Sequence, residues 1–218
     1  MRKEKRFQLV LDFFQQNRPG AETELIYTDP YQLTVAVILS AQCTDKRVNI
    51  ITPPFFQRFP DLLSLAEAEP SSVFELIKSC SYPNNKTKSL IGMAKSLNSQ
   101  YNGVLPSDVD ELQKIPGIGR KTANVLASVI FNKPALAVDT HVFRVSARIG
   151  LTTNARTPLQ TEQQLVRHIP ENLRSIAHHW LILHGRYVCI ARKPKCVECG
   201  MTAFCKYFLT KQKTSVSA

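Results

Sequence analysis

The amino-acid sequence predicts an all-α protein, and three observations support this fold class. Capping residues precede helically spaced apolar residues along most of the 218-residue chain. No segment alternates apolar and polar residues between turn signals, as a strand would. Apolar residues make up 44% of the sequence, so the helices can bury a sizeable core and the chain is not a disordered one.

The predicted helices follow one another with short connections. Asp29 is an N-cap followed by Pro30 at the first helical position, and Leu33, Val37 and Ile38 continue at helical spacing. Further helix starts are predicted, in chain order, at Ser71, Asn84 or Asn85, Ser107 with Asp110, Gly119, Asp139, Thr157-Pro158 and Pro170. Gly150 closes the helix that begins at Asp139. We expect the polar segment 211–218 to be frayed.

The composition favours a polyanionic partner. Lys and Arg number 28 against 17 Asp and Glu, which gives a formal net charge of +11, and nucleic acid is the usual partner of such a surplus. The alternative is a basic protein with no such partner. No apolar run reaches the roughly 18 residues that span a bilayer, and no secretory signal is present. We therefore expect a cytoplasmic, nucleoid-associated protein without disulfides.

Four cysteines lie close together near the C-terminus. Cys189, Cys196, Cys199 and Cys205 have the spacing C-x6-C-x2-C-x5-C, and we refer to residues 189–205 as the cysteine segment. Four thiols can bind either zinc or a [4Fe–4S] cluster. Zinc ribbons usually have two Cys-x2-Cys pairs, whereas this segment has one and a long first loop. The spacing therefore favours iron–sulfur.

The other two cysteines and the first loop of the cysteine segment have separate interpretations. Cys43 and Cys80 lie in helical, apolar surroundings and are predicted to be packing residues. Arg192 and Lys193 lie in the first loop, where cations held on a metal-bound loop could contact phosphates. The alternative is an ordinary solvated loop.

A turn rich in glycine joins two predicted helices at residues 112–123, which we call the hairpin segment. Pro116 ends the first helix, and we expect Gly117 and Gly119 to adopt backbone angles closed to other residues. Backbone N–H groups at the start of the next helix, beside Arg120, would suit a phosphate. The alternative is a purely structural connection.

Two residues near this turn are candidate catalytic groups. Lys121 lies in the first turn of the second helix, where the macrodipole disfavours a cation and so favours the neutral amine that a nucleophile needs. Asp139 follows after one helix and a short return, and it caps the next helix. A lysine and a carboxylate suit attack on a sugar carbon, but the spacing alone also allows an ordinary surface lysine and an ordinary cap.

Several motifs in the same order resemble the endonuclease III family. They are the hairpin Ile115–Ala123, the stretches Val138–Val145 and His179–Arg186, the early run Leu39–Asp45, the pair Asn85-Lys86 and the cysteine segment. The resemblance covers about residues 1 to 210, nearly the whole chain.

The resemblance implies two helical domains with a DNA groove between them. One is a continuous six-helix domain at about 22–133, and the other combines residues 1–21 with 134–218 and carries a [4Fe–4S] cluster at 189–205. Lys121 corresponds to the lysine that forms a Schiff base, and Asp139 to the catalytic aspartate. Gln42 corresponds to the glutamine that fills the gap left by a flipped nucleotide. Further DNA contacts are implied for a group of residues around these sites: Tyr82, Gly117, Gly119, Arg120, Thr140, His141, Arg144, Arg192 and Lys193.

The activity that the resemblance implies is that of a bifunctional DNA glycosylase and AP lyase of base excision repair. Its substrate is double-stranded DNA with oxidised pyrimidines or abasic sites, its strand cleavage proceeds by β-elimination, and we expect a monomer that has no membrane partner. Tyr82 and Pro83 depart from the family pattern, which has a leucine wedge followed by tyrosine. The mismatch adenine glycosylase also has tyrosine there, but it lacks a lysine corresponding to Lys121 and has an additional domain. Two further alternatives are a non-catalytic helix–hairpin–helix module and an iron–sulfur electron carrier.

Overall fold

A computed structural model describes the backbone of residues 1–216 and the side chains of residues 1–212, and this part of the chain contains helices and turns but no strand. The helices are α1 (Lys3–Asn17), α2 (Pro30–Ser40), α3 (Asp45–Arg58), α4 (Leu62–Ala66), α5 (Pro70–Ile77), α6 (Pro83–Gln100), α7 (Val109–Leu112), α8 (Arg120–Phe131), α9 (Thr140–Ile149), α10 (Pro158–Val166), α11 (Glu171–Tyr187) and α12 (Lys206–Val216). The all-α prediction is confirmed. None of the described helices is both long and apolar enough to cross a membrane.

The chain forms two compact units. The central unit is continuous and comprises Glu24–Lys133, whereas the terminal unit combines Met1–Thr23 with Pro134–Ala218. In the central unit α6 is the organising helix, and it packs against α2, α4 and α5. Leu33, Leu39, Leu90 and Leu126 are fully buried there. This apolar packing fixes the ends of α2, α6 and α8, where the candidate DNA contacts lie.

The terminal unit is organised around α9 and α11, which pack against each other. Trp180 on α11 is buried, stacks on Phe14 of α1 with ring centroids 5.7 Å apart, and donates from Nε1 to the Arg18 carbonyl at 2.7 Å. These contacts bind the N-terminal helix into the unit. Cys189, Cys199 and Cys205 pack against the edge of the same core.

Several predicted helix boundaries are confirmed. The Asp29 side chain accepts from the Gln32 amide, the Thr157 hydroxyl accepts from the Gln160 amide, and Gly150 closes α9 with φ +93°. Three starts differ from the prediction. Helix α5 begins at Pro70 rather than Ser71, α6 begins at Pro83 rather than after Asn84, and Asp108 rather than Ser107 caps α7.

Helix α3 was not among the predicted helices, and α12 differs from the expectation for the C-terminal segment. Helix α3 continues through Pro53 and Pro54, because Val48, Ile51 and Phe55 on the same helix are buried and hold it in place. Helix α12 extends to Val216, so the fraying expected from residue 211 is not seen as far as 216. Residues 217 and 218 lie outside the described part of the chain.

Candidate functional site

The hairpin segment connects α7 to α8 through one residue with a left-handed backbone. Gly117 has φ +81°, and a Cβ added there would lie 2.6 Å from the Ser89 Cβ on α6. Both the backbone angle and the close approach therefore require glycine at 117. Gly119 differs, since its φ of −83° and ψ of 174° are open to any residue. The expectation that both glycines need special angles is correct for Gly117 and wrong for Gly119.

Open space surrounds the start of α8. A Cβ added at Gly119 would meet no atom within 4 Å, and among residues 1–212 no side chain caps this helix. Lys121 is the second residue of α8 and is exposed, as the sequence predicted for the first turn. The N-terminus of α8 thus presents a positive helix end, an accessible amine and the exposed Arg120 on the same turn, which suits an anionic ligand.

Asp139 caps α9, as predicted. Its Oδ1 accepts hydrogen bonds from the backbone amides of His141 and Val142, both at 2.8 Å. Both bonds end on the same oxygen, and within the described residues Oδ2 makes no hydrogen bond. The half-buried carboxylate is therefore held in one orientation while one oxygen stays available to a substrate.

Three candidate DNA-contact residues of α9, namely Thr140, His141 and Arg144, differ in what their side chains contact. Arg144 donates from Nη2 to the Gly185 carbonyl at 2.8 Å and from Nε to the Cys189 carbonyl at 3.2 Å. Burial, followed by the charge of nearby Arg148, lowers the pKa of Arg144. His141 packs closely on Gly185 of α11 and lies 3.3 Å from the Arg144 guanidinium. Thr140 is exposed. Arg144 and His141 thus contribute to the packing of α9 on α11, and Thr140 is open to a ligand.

The four cysteines of the cysteine segment line one apolar cavity that opens to solvent. Ile149, His184 and Met201 also line this cavity. All four thiols are half-buried, and none is in a disulfide. Among the described residues, no three His, Cys, Asp or Glu side chains are grouped so as to hold a metal ion. Thiols that are spread around a shared cavity, rather than grouped about one point, suit a multi-atom cluster better than a single ion.

Two side chains outside the segment lie close to these thiols. Arg148 lies with Nη1 3.6 Å from the Cys189 Sγ, and His184 lies with Nε2 3.7 Å from the Cys199 Sγ. The His184 ring is buried, and burial with the charge of Arg18 lowers its pKa to about 4. Burial also raises the pKa of Cys199 and of Cys205. Each thiol would need a positive partner to become a thiolate, and a metal supplies one.

Arg148 is a residue that the sequence analysis missed. Its guanidinium donates to the carbonyls of Ile190 at 2.7 Å and Ala191 at 2.8 Å, and it lies 4.9 Å from the Tyr207 ring centroid. It therefore holds the start of the cysteine segment in place. The sequence feature that could have identified Arg148 is its position four residues after Arg144, which places both side chains on the same face of α9.

The first loop of the cysteine segment presents cations to solvent. Arg192 and Lys193 are exposed, and Lys193 has a left-handed backbone with φ +52°. The Lys195 amide donates to the Val188 carbonyl at 3.0 Å, which closes the loop at its base. The loop is thus short, anchored and basic at its tip, as a phosphate-contacting loop would be.

Two loops of the central unit carry exposed residues in a left-handed conformation. Gln42 follows α2 and has φ +54°, and Tyr82 precedes α6 and has φ +57°. Neither residue is glycine, so each conformation costs roughly 1 kcal/mol or more, which the surrounding contacts must offset. The Tyr82 side chain is 61% exposed. An exposed aromatic side chain on a constrained backbone can stack on a base without losing much further freedom.

Cys43 and Cys80 lie beneath these loops, with their Sγ atoms 3.7 Å apart. Burial, and then the neighbouring Cys43, raises the pKa of Cys80 to about 11, so this thiol stays protonated. Lys86 is only 5% exposed and donates from Nζ to the Leu39 carbonyl at 2.7 Å. Burial lowers the pKa of Lys86. The packing role predicted for both cysteines agrees with this geometry.

His178 and His179, in the middle of α11, are both buried. His178 Nδ1 lies 2.8 Å from the Ala137 carbonyl. Burial lowers the pKa of His179, against an opposing effect of Glu22.

Comparison with known proteins places this architecture among DNA repair enzymes. Residues 35–171 match the sequence profile of the HhH-GPD superfamily base excision DNA repair proteins. Endonuclease III of Rickettsia felis is 44% identical over 91% of this chain and 93% of its own length. Endonuclease III of Escherichia coli K12 is 38% identical over 99% of this chain and 100% of its own length.

Solved structures give the same relationship. A non-covalent endonuclease III–DNA complex superposes with a TM-score of 0.92 at 37% identity, covering 98% of this chain and 100% of that one. A trapped endonuclease III–DNA covalent intermediate superposes with the same TM-score, 0.92, at 38% identity and covers 97% of this chain and 100% of that one.

Proposed function

The chain belongs to the endonuclease III family of the HhH-GPD superfamily, and from this premise we propose that it is a bifunctional DNA glycosylase and AP lyase of base excision repair. It removes oxidised pyrimidines and cleaves the strand on the 3′ side of the abasic site. The observation that carries the proposal is the likeness, at 38% identity and a TM-score of 0.92, to an endonuclease III that was trapped covalently on DNA.

Lys121 is the nucleophile in this proposal. The damaged nucleotide leaves the helix, because its reacting sugar carbon is out of reach within the duplex. The neutral amine attacks C1′, the C1′–N bond to the base breaks, and the base leaves with the bonding electron pair and takes up a proton. Loss of a proton from nitrogen and opening of the sugar ring give an imine. The exposed position of Lys121 in the first turn of α8 supports this role.

Asp139 stabilises the positive charge that develops on the sugar as the base departs. Its Oδ1 is held by two backbone amides, so the carboxylate keeps its orientation without reorganising during the reaction. The imine then acidifies the proton on C2′. Removal of that proton expels the 3′ phosphate, which cleaves the strand by β-elimination.

The four cysteines of the cysteine segment hold a [4Fe–4S] cluster. Their arrangement around one apolar cavity fits four thiolate ligands, and the bound cluster supplies iron–thiolate bonds that tie the segment together. Arg148 donates from Nη1 to the Cys189 sulfur, which offsets thiolate charge, and the His184 ring contacts the Cys199 sulfur and helps to orient it. The segment then presents Arg192 and Lys193 in a fixed place.

The DNA contacts divide into backbone and base contacts. The N-terminus of α8, with Gly117, Gly119 and Arg120, binds one backbone phosphate. Arg192 and Lys193 bind further phosphates. The net charge of +11 supports both contacts. Gln42 and Tyr82 enter the base stack, and Thr140 contacts the substrate strand. The enzyme acts on double-stranded DNA as a monomer in the cytoplasm, at the nucleoid.

The test is borohydride trapping on duplex DNA that contains thymine glycol. The unmodified protein forms a covalent adduct and cleaves the strand, and Lys121→Gln abolishes both while it keeps the fold and DNA binding. Lys95→Gln is the matched control, since Lys95 is an exposed helical lysine of the same unit. A normal yield of adduct from Lys121→Gln would show that another amine does the chemistry.

A further inference from the structure

The loops that carry Gln42 and Tyr82 are joined by a hydrogen bond. The Ser81 hydroxyl donates to the Gln42 backbone carbonyl at 2.7 Å. The two residues are 39 positions apart in sequence, so this bond closes a tertiary contact between the loop after α2 and the loop before α6. Gln42 contributes its own backbone to the bond, and Ser81 is the immediate neighbour of Tyr82.

Two contacts below this bond support the same pair of loops. The Cys43 and Cys80 thiols lie 3.7 Å apart, one residue after Gln42 and one residue before Ser81. Buried Lys86, in the first turn of α6, donates to the Leu39 carbonyl at 2.7 Å near the end of α2. The bases of both loops are therefore fixed to each other, and Ser81 is the outermost of the three ties.

The conformation of the two exposed residues explains why such a tie is needed. Gln42 and Tyr82 both have φ values in the left-handed region, +54° and +57°, although neither is glycine. Such angles persist in non-glycine residues only when neighbouring contacts hold them. Ser81 adjoins one of these residues and binds the carbonyl of the other, so its hydroxyl is placed to hold both at once.

We propose that Ser81 is a positioning residue that couples Gln42 to Tyr82, so that the two side chains enter the DNA stack as one unit. The proposal rests on the function proposed above, which assigns both side chains to the duplex. Without the hydroxyl, each loop would sample other conformations and insertion of one side chain would no longer favour insertion of the other. Chemistry at an abasic site in single-stranded DNA needs no such insertion.

The experiment compares Ser81→Ala with the unmodified protein on two substrates. On duplex DNA with thymine glycol, single-turnover base release falls roughly three- to tenfold, as expected for loss of one hydrogen bond that acts during insertion. On single-stranded abasic DNA, strand cleavage is unchanged. Ser81→Thr, which keeps a hydroxyl, restores most of the duplex rate. Ser99→Ala is the matched control, because the Ser99 hydroxyl also donates to a backbone carbonyl, Lys95 at 2.8 Å within α6.

A double-mutant cycle with Gln42→Ala separates coupling from a general loss of structure. Because the hydroxyl acts through Gln42, Ser81→Ala adds little to the defect of Gln42→Ala, so the combined loss is smaller than the product of the separate losses. Fluorescence of 2-aminopurine opposite the lesion reports insertion directly, and Ser81→Ala lowers it.

Three results would overturn the coupling while the proposed function stands. They are equal losses of activity on duplex and single-stranded DNA, multiplicative losses in the double-mutant cycle, and a normal rate of Ser81→Ala on duplex DNA. Failure of the unmodified protein to release the base would overturn both.

Discussion

The central unit and the terminal unit hold their functional residues by different means. In the central unit, Lys121, Gln42 and Tyr82 lie at the ends of helices that are fixed by a buried apolar core. In the terminal unit, the cysteine segment contains only a short 3₁₀ turn, Cys196–Glu198, and depends on Arg148, His184 and its own thiols. The central unit thus holds its functional residues by apolar packing and internal hydrogen bonds, whereas in the proposed function a bound cluster completes the cysteine segment of the terminal unit.

The largest expected difference between the units follows from removal of one thiol. Cys205→Ala leaves three ligands, so the protein loses its yellow-brown colour and its iron, which we expect at about four atoms per chain in the unmodified protein. The terminal unit loses stability by several kcal/mol, on the order of a structural metal site, while the central unit keeps its helices. Iron analysis and amide hydrogen exchange measure these effects.

Cys43→Ala is the control for that experiment, because this thiol lies in the central unit and packs on Cys80. It should retain full iron. If Cys205→Ala also retained full iron, or if the purified protein were colourless with stoichiometric zinc, the assignment of the cysteine segment would be wrong.

Asp139→Asn separates charge from helix capping. Asparagine can accept the same two backbone hydrogen bonds, so α9 keeps its start, but the carboxylate charge is lost. Base release should slow by about 10²-fold, because the developing cation is no longer stabilised. Strand cleavage at a preformed abasic site should slow much less, since the aldehyde there is already electrophilic.

Asp108→Asn is the matched control, since Asp108 caps α7 of the central unit through the Asp110 and Glu111 amides. Its rates should equal those of the unmodified protein. Equal slowing of base release and strand cleavage in Asp139→Asn would argue against a role in glycosidic bond cleavage.

The basic tip of the cysteine segment should have a smaller effect, visible in salt dependence. Arg192→Gln and Lys193→Gln should each reduce the slope of log binding constant against log salt by roughly one unit, the contribution of one phosphate contact. Lys78→Gln in the central unit should leave the slope unchanged, because Lys78 pairs with Glu75 at 2.7 Å on the surface. An unchanged slope in both loop variants would show that this loop does not touch the DNA backbone.

The smallest expected difference between the units is in how their stability depends on pH. All five histidines belong to the terminal unit, and burial lowers the pKa of His179 below its ordinary value of 6.5. The unfolded chain therefore binds a proton at higher pH than the folded chain does, and stability falls as pH drops below 6.5. The neighbouring charges are Glu22, which opposes this shift, and Arg186, which adds to it.

Urea unfolding between pH 7.5 and 5.5 would measure this effect, with a loss of at most about 1.4 kcal/mol per pH unit for one such group. His179→Gln should reduce the pH dependence. An identical dependence in the variant would mean that His179 contributes nothing to it.

The sequence predicted a residue's position best where a local rule of helix or turn formation applies to a residue that also has a proposed chemical role. The Asp139 cap, the position of Lys121 in the first turn of α8 and the left-handed Gly117 all follow from neighbouring residues. Helix α3 runs through Pro53 and Pro54, although proline usually interrupts a helix, because the burial of its apolar side chains outweighs that preference. The roles assigned to individual residues remain predictions.

Contacts between distant segments could not be read from local patterns. Arg148 binds carbonyls more than forty residues away, and Ser81 binds Gln42 across 39 positions. Neither contact leaves a periodic or capping signature, because the partner is a backbone carbonyl that every residue has. The DNA contacts expected of His141 and Arg144 remain predictions, and the contacts that both residues make with Gly185 of α11 were likewise not visible in local patterns.

The discontinuous terminal unit has a consequence for biosynthesis. Phe14 and Arg18 find their partner, Trp180, only after the whole central unit has been translated. On the ribosome the central unit can fold first, while the N-terminal helix waits without its packing surface. The four cysteines emerge later still. Under the proposed function, cluster delivery is therefore the last step of maturation, and a shortage of iron would leave a protein with a folded central unit, including Lys121, and an incomplete terminal unit.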